Sequence, residues 1–353
     1  MTTPVLPAPP LLAGGRGPLS ALTLQVIGAG RRGTGAHEEL LRLAGARAAD
    51  RGPVLEDDDV QLALFLLYGL YYGWLGALGD DLEWDLELLQ VRQLFERLHE
   101  AELRELAGTV PAPEPTARSV AQALFDLTAA DDGPSLARYV ARRATTEQAL
   151  ELLALRSIYT LREADAHSWA IPRLTGRAKA ALVEIQADEY GSGHPGSMHS
   201  VLFATTMRGV GLDDTYPAYL DHAPAVVLAS HNTMSLLGLH HRLRGAVVGH
   251  LAAFEMTSSI PNRYYRDGFA RLGYGEEVTR YFAEHVEADA VHEQIAAHDL
   301  AGALAEQDPS LVGDIMFGAA SSLAMDALVG RHVLTAWEDG RSSLRRPLTA
   351  GPV

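Results

Sequence analysis

Apolar residues along this chain recur at three- and four-residue spacing between charged positions, the pattern of helices with one buried face, and alternating β-branched runs are few. The clearest case is Trp84 to Leu106 (WDLELLQVRQLFERLHEAELREL), which reads as an amphipathic helix. Pro111, Pro113 and Pro115 then break the pattern. A second block starts near Ser119, pauses at the turn Asp131-Asp132-Gly133-Pro134 and resumes at Leu136. Beyond it the spacing predicts long helices at about 136–168, 174–190, 197–209, 214–244, 246–258, 261–272, 275–299 and 308–337. The expectation is an all-α protein without internal repeats and without a glycine-rich phosphate loop.

The 353 residues exceed one average domain. We expect a loosely attached, partly disordered leader over 1–53, rich in Pro, Gly, Ala and Arg, with a weak helical patch near Gly35 to Ala49. A helical arm over 54–135, the main helical domain over 136–340 and a C-terminal tail over 341–353 follow it. Within the arm, Val60 to Gly79 (VQLALFLLYGLYYGWLGALG) carries no charge and is about the length that spans a bilayer. Four glycines, Gln61 and the tyrosines lower its apolarity, and Asp57, Asp58, Asp59, Asp80 and Asp81 flank it where Lys or Arg anchors would be needed. It is read as a buried packing or dimer helix.

Lys and Arg total 29 against 45 Asp and Glu, a formal charge of −16 that repels phosphate backbones and anionic lipid. Neither nucleic acid nor a membrane is expected as a partner. The chain has no cysteine, which excludes disulfides, thiolate metal sites, iron–sulfur clusters and cysteine nucleophiles, so any transition metal must rest on His, Asp and Glu. The first residues, MTTPVLPAPPLLAGGRG, do not read as a secretory signal, and a cytoplasmic location is expected.

The sharpest local signal is His285-Val-Glu-Ala-Asp289-Ala-Val-His292. At 100° per residue, Asp289 and His292 lie about 40° and about 20° from His285, so all three project from one helix face. Two imidazoles and a carboxylate there suit iron, manganese or zinc; a solvated face is the plain alternative, since Glu284, Glu287 and Glu293 show that the helix has one. A second cluster sets Glu189 and His199 ten residues apart across Gly191, Gly193, Pro195 and Gly196. The pair can meet one metal site only if the chain bends between them, as that composition permits, and His194 competes with His199. Glu163 and Glu255 each stand in largely apolar helical surroundings, where an acid must be paired, protonated or bound to a cation. His167, four residues after Glu163, and His250, five before Glu255, are candidates to support ligands from behind. Ferritin-like di-iron bundles carry two Glu-x-x-His units, and only Glu96-Arg-Leu-His99 has that spacing here, in a heavily charged helix where a solvent-facing role suffices.

The segments LREADAHSWAIPRL, EIQADEYGSG with MHSVLF, LRGAVVGHLAAFEMTSSIP and HVEADAVHE, in that order, resemble the haem-oxygenase-like di-iron oxidases and oxygenases, the iron-containing redox enzymes. The resemblance covers about 136–340 and implies a haem-oxygenase-like helical bundle with an N-terminal helical arm. Residue by residue it implies Glu163, Glu189, His199, Glu255, His285, Asp289 and His292 as ligands of two Fe(II) per chain, with O2 as co-substrate. Some N-oxygenating members carry a further acid seven residues after the second core glutamate, where this chain has Gly196. The arm resembles that by which longer members dimerise, so a homodimer is expected, with an external electron donor as a further partner. Oxidation of a small, amino-acid-derived substrate is implied, with amine N-oxygenation ranked first and oxidative C–C cleavage, decarboxylation or desaturation as alternatives. A metal-free or haem-binding helical scaffold is the rival of another class.

Among the remaining residues, His231, His240 and His241 do not share a helix face with one another or with His250 and are expected in core or helix-end hydrogen bonds. Tyr190 and Met256, beside proposed ligands, are candidates for a substrate wall. Arg263 is the candidate for gripping a substrate carboxylate, a surface salt bridge being the alternative.

Overall fold

The computed structural model describes residues 14–30 and 34–348, except the side chains of Thr34, Ala77, Glu287, Ala288, Asp289 and Ala290. Among the described residues there is no strand. The helices are α1 (Pro18–Ala29), α2 (Thr34–Asp50), α3 (Asp58–Tyr72), α4 (Leu86–Ala107), α5 (Ala117–Ala129), α6 (Leu136–Arg142), α7 (Thr146–Thr160), α8 (Asp165–Ser168), α9 (Gly176–Glu189) and α10 (His199–Gly209). They continue as α11 (Ala225–Leu239), α12 (Arg244–Met256), α13 (Ser259–Arg271), α14 (Glu276–Gln294), a π-helical stretch (Ile295–Gly302), α15 (Ala303–Gln307) and α16 (Val312–Glu338).

Two helices, α1 and α2, occupy the segment expected to be a loosely attached leader, and that expectation is corrected for the described part of it; residues 1–13 and 31–33 lie outside the described residues. α1 packs on α3, and α2 on α4. The acid run Asp57-Asp58-Asp59 explains the attachment, because its three carboxylates have three different jobs. Asp57 caps its own helix by accepting the N–H groups of Asp59 and Val60 at 3.0 and 3.1 Å. Asp58 pairs with Arg16 at 2.8 Å. Asp59 accepts the N–H groups of Leu19 and Ser20 at 2.9 and 2.7 Å, capping α1 from a neighbouring helix. Buried apolar side chains from Leu19 to Leu344 then form one cluster, so the boundary at residue 135 marks no break in the core.

The uncharged stretch after Val60 is the buried face of α3, from Val60 to Leu70, and the helix stops at Gly73 in the left-handed conformation. One stretch, Pro309–Glu338, is long and apolar enough to cross a membrane, and most of it is packed inside the protein. α12 lies along α16 at unusually close range: a Cβ on Gly249 would stand 1.8 Å from the Ile315 carbonyl oxygen, and one on Gly318 1.8 Å from that of Ala246. No side chain fits between the two backbones, and glycine at both positions permits the approach.

Several helix limits differ from the sequence pattern. The stretch 136–168 divides at Arg143 and again at 161–164, where Ala164 takes φ 72°. The span 214–244 shortens to α11, which starts after Pro224 and ends before His240. The helix read as 275–299 changes at Ile295 to π-helical winding. The Glu96–His99 pair, expected to face solvent, is buried: α3 and α11 cover that face of α4, which local charge density could not reveal.

Candidate metal centre

Helix α9 ends at Glu189, and the chain then turns through Gly191, Ser192 and Gly193 with φ of 70°, 50° and 83° before α10 begins at His199. A Cβ on Gly191 would stand 2.6 Å from the Met198 nitrogen, so only glycine allows the chain to double back this tightly. The result is that Nδ1 of His199 lies 2.9 Å from Oε2 of Glu189. His194, the competitor for this place, is exposed in the turn, and Gly196 beside it is exposed too.

Glu163 sits in the turn between α7 and α8 rather than in mid-helix, directly before the left-handed Ala164. Gln186 of α9 donates to the Ala164 carbonyl at 2.8 Å and thereby fixes that turn. The Glu163 carboxylate accepts from Tyr281 Oη at 2.9 and 3.0 Å and lies 3.6 Å from Nε2 of His285. Tyr281 and His285, one helical turn apart on α14, are joined again through Nδ1 of His285 and the Tyr281 carbonyl at 2.9 Å. Burial pushes the Glu163 carboxyl up, but His285, His199 and Arg156 outweigh it and hold the group below the usual glutamate value.

From α12, Glu255 reaches Nδ1 of His292 at 3.3 Å, and the same ring nitrogen is 3.9 Å from Glu189. The other nitrogen, Nε2, is 3.1 Å from Asp188. Donor atoms of Glu163, Glu189, His199 and His285 all lie within 4.8 Å of one another, as do those of Glu189, Glu255 and His292, so Glu189 belongs to both groups. None of the six side chains is more than 8% exposed. The backbone of Asp289 is helical, while its side chain lies outside the described residues.

This donor set fits a pair of divalent cations. Neither Glu163 nor Glu255 has a lysine or arginine within ion-pair distance among the described residues, and at that range each faces only a histidine, so a cation among them would offset the cost of burying carboxylates together. Nδ1 of His199 is buried and close to a carboxylate oxygen, yet makes no hydrogen bond with it. Oxygen and imidazole donors without sulfur suit iron or manganese. A small space of about 10 Å³, room for one water-sized particle, lies among Glu163, Glu189, Glu255 and His285.

The other sequence candidates are scattered. His167 and His250 are buried against each other, Nε2 to Nδ1 at 3.2 Å, behind this space. Tyr190 bonds to Asp165 and Ser168 through its hydroxyl, both at 2.9 Å. Met256 lines a cavity of about 940 Å³ between α7, α11, α13 and α16, whereas Arg263 is exposed, leans on Tyr264 and is not part of that wall. Tyr159 and Phe254 line both the large cavity and the small space among the donors. Sequence reasoning missed Tyr281, although its four-residue spacing from His285 on a shared face was a usable signal. It also missed Tyr159, Phe254 and Asp188, which nothing local marks.

Residues 150–327 match the family model described as iron-containing redox enzyme. A curated relative, the nitrosourea synthase of Streptomyces achromogenes subsp. streptozoticus, is 32% identical over 133 residues. That stretch is 37% of this chain and 28% of the relative, so the chain matches well under a third of that protein.

Proposed function

The chain belongs to the iron-containing redox enzyme family, with the family's all-α, haem-oxygenase-like fold, and on that basis we propose that it is a non-haem di-iron oxygenase acting on a small amino-acid-derived molecule. The observation that carries this reading is the pair of buried donor groups joined through Glu189. Glu163, Glu189, His199 and His285 would hold one ion; Glu189, Glu255 and His292, with Asp289, would hold the other. Two ferrous ions so held would supply the electrons for reducing O2. The protein's own part is to hold Glu163 through Tyr281, to exclude bulk water by burial, and to admit substrate from the large cavity. A metal-free scaffold gives no reason to bury three carboxylates together, and haem binding calls for one axial histidine rather than three beside them.

N-oxygenation of an amine is the reaction we favour. The relative's name is that of an enzyme whose product contains an oxidised nitrogen, which supports nitrogen as the atom attacked. Oxidative C–C cleavage, decarboxylation and desaturation use the same donors and are the alternatives. The same reading includes a cytoplasmic homodimer served by an external electron donor. Trp84 and Leu86, 70% and 75% exposed at the start of α4, support the arm as the dimer surface.

Anaerobic Fe(II) loading with metal counted per chain, followed by rapid mixing with O2 under visible absorbance, tests the proposal, with His285→Ala as control. Two irons and a transient coloured species lost in the variant are the expected result. Binding that survives His285→Ala unchanged would overturn the site.

A further inference from the structure

Two consecutive acids close α9, and both meet the same ring. Glu189 is buried and lies 3.9 Å from Nδ1 of His292. Asp188, turned about 100° around the helix, keeps a half-exposed side chain and lies 3.1 Å from Nε2 of that imidazole. The buried ring is thus bracketed, one nitrogen facing the donors and the other facing the rim of the protein. Asp188 itself belongs to neither donor group among the described residues.

Helix stability does not explain an acid at this position. α9 ends at Glu189, so Asp188 stands at the negative end of the helix dipole, where a carboxylate is disfavoured. What it contacts lies beyond its own helix. Oδ2 faces His292 of α14, and Oδ1 accepts from Ser192 Oγ at 3.4 Å in the left-handed turn.

The pairing also settles where the imidazole proton sits. A carboxylate only accepts, so the bond to Asp188 puts the proton on Nε2 and leaves the lone pair on Nδ1, the nitrogen 3.3 Å from Glu255. The opposite tautomer would aim an N–H at the donors, where a cation needs a lone pair. His285 is set in the same way with its nitrogens exchanged: Nδ1 donates to the Tyr281 carbonyl, and Nε2 faces Glu163. That bond lies within α14 and is buried. The bond that sets His292 comes from another helix, through a carboxylate that water reaches.

We propose that Asp188 is the positioning residue of the second donor group. It holds His292 with Nδ1 toward Glu189 and Glu255, so the affinity of that group, unlike that of the group around Glu163, depends on a side chain at the surface. This rests on the di-iron reading and adds to it the residue that governs one of the two ions. Asp188 acts through the ring, from the side away from the donors.

Anaerobic titration of the metal-free full chain with Co(II), read by visible absorbance, tests the role together with proton NMR of the loaded protein. The wild type should bind two Co(II) per chain and show strongly shifted imidazole N–H signals that vanish in D2O. Asp188→Ala should weaken one of the two binding steps by about tenfold to a hundredfold, the scale for removing the partner of a ligating histidine, and leave the other step unchanged. Asp188→Asn, an acceptor without charge, should weaken the same step by less. One exchangeable N–H signal should be moved or lost to water in Asp188→Ala, while the signal of His285, identified by its absence from His285→Ala, stays in place. Metal-free Asp188→Asn should melt no lower than the wild type, because it relieves the end of α9 of an acid. A purely structural role predicts the reverse, a lower melting temperature with both binding steps intact. Unchanged binding in both variants, or equal weakening of both steps, overturns the proposal. A wild-type count of one Co(II) whose N–H signal still responds to Asp188→Ala sinks the metal pair and keeps the positioning role. A count of two without that response does the opposite, and no binding at all sinks both.

Discussion

Glu189 faces His199 at 2.9 Å through one carboxylate oxygen and His292 at 3.9 Å through the other, joining two donor groups that otherwise have no member in common. This shared position makes the consequences of mutation unequal. Glu255→Ala should leave about one iron per chain, because only one group loses a donor. Glu189→Ala should leave almost none. Metal analysis after anaerobic loading and desalting decides it, and equal losses in the two variants would show that Glu189 does not bridge.

Tyr281 touches no donor group of the second kind, yet its hydroxyl holds both oxygens of Glu163 and its carbonyl holds His285. Tyr281→Phe removes the hydroxyl while keeping the ring. Fe(II) affinity at the Glu163 end should fall about tenfold, as for other outer hydrogen bonds to metal ligands, with melting temperature little changed. An unchanged ferrous titration would mean that Glu163 is oriented by packing alone.

Glu96 and His99 have ligand spacing but other employment. Tyr68 donates to Glu96 at 3.0 Å and His240 lies 2.9 Å from it, while His99 bridges Gln61 at 3.2 Å and Thr233 at 2.8 Å. His99→Ala orphans the buried Thr233 hydroxyl, leaves Gln61 Nε2 with the Val54 carbonyl alone, and should cost about 2 kcal/mol of stability. Its iron count should equal that of the wild type. Metal loss in a variant that still melts cooperatively would return this pair to the list of ligands.

Burial pulls the imidazole of His167 down to about 4 and, against the opposing pull of Glu96 and Glu100, that of His99 to about 4 as well; it drives most of the fall of His231 to about 3 and, with His167 beside it, places His250 well below its ordinary value. These rings are neutral when folded, and unfolding lets them take up protons below about pH 6.5. Stability should therefore be level above that pH and decline as pH falls toward about 4, with a slope approaching one proton per histidine. Urea midpoints of metal-free protein across this range measure the slope, and His231→Phe should flatten it by about one proton. No change between neutral and mildly acid pH would contradict the burial of these rings.

Much of the donor cluster was legible because its geometry is local. His285 and His292 share a face by helical periodicity, and the glycines between Glu189 and His199 announce a tight turn. Glu163 was placed in mid-helix because its turn runs through Ala164, a left-handed residue without the glycine that normally signals one. Arg156, the polar network of α4 and the docking of α1 were hidden for another reason: each acquires its role from helices distant in sequence. Asp59, for example, reads as part of an acidic flank until Leu19 and Ser20 arrive to be capped by it.

The rings of Tyr159 and Phe254 meet edge to face at 5.4 Å and belong to the walls of both spaces. A partition of this kind acts as a ruler. A ligand in the large chamber that acts at the donors would have to reach them past these two rings. In the proposed reaction, regiochemistry would thereby be set by chain length: lengthening or shortening a ligand by one methylene would change which atom reaches the donors, before any difference in intrinsic reactivity is felt.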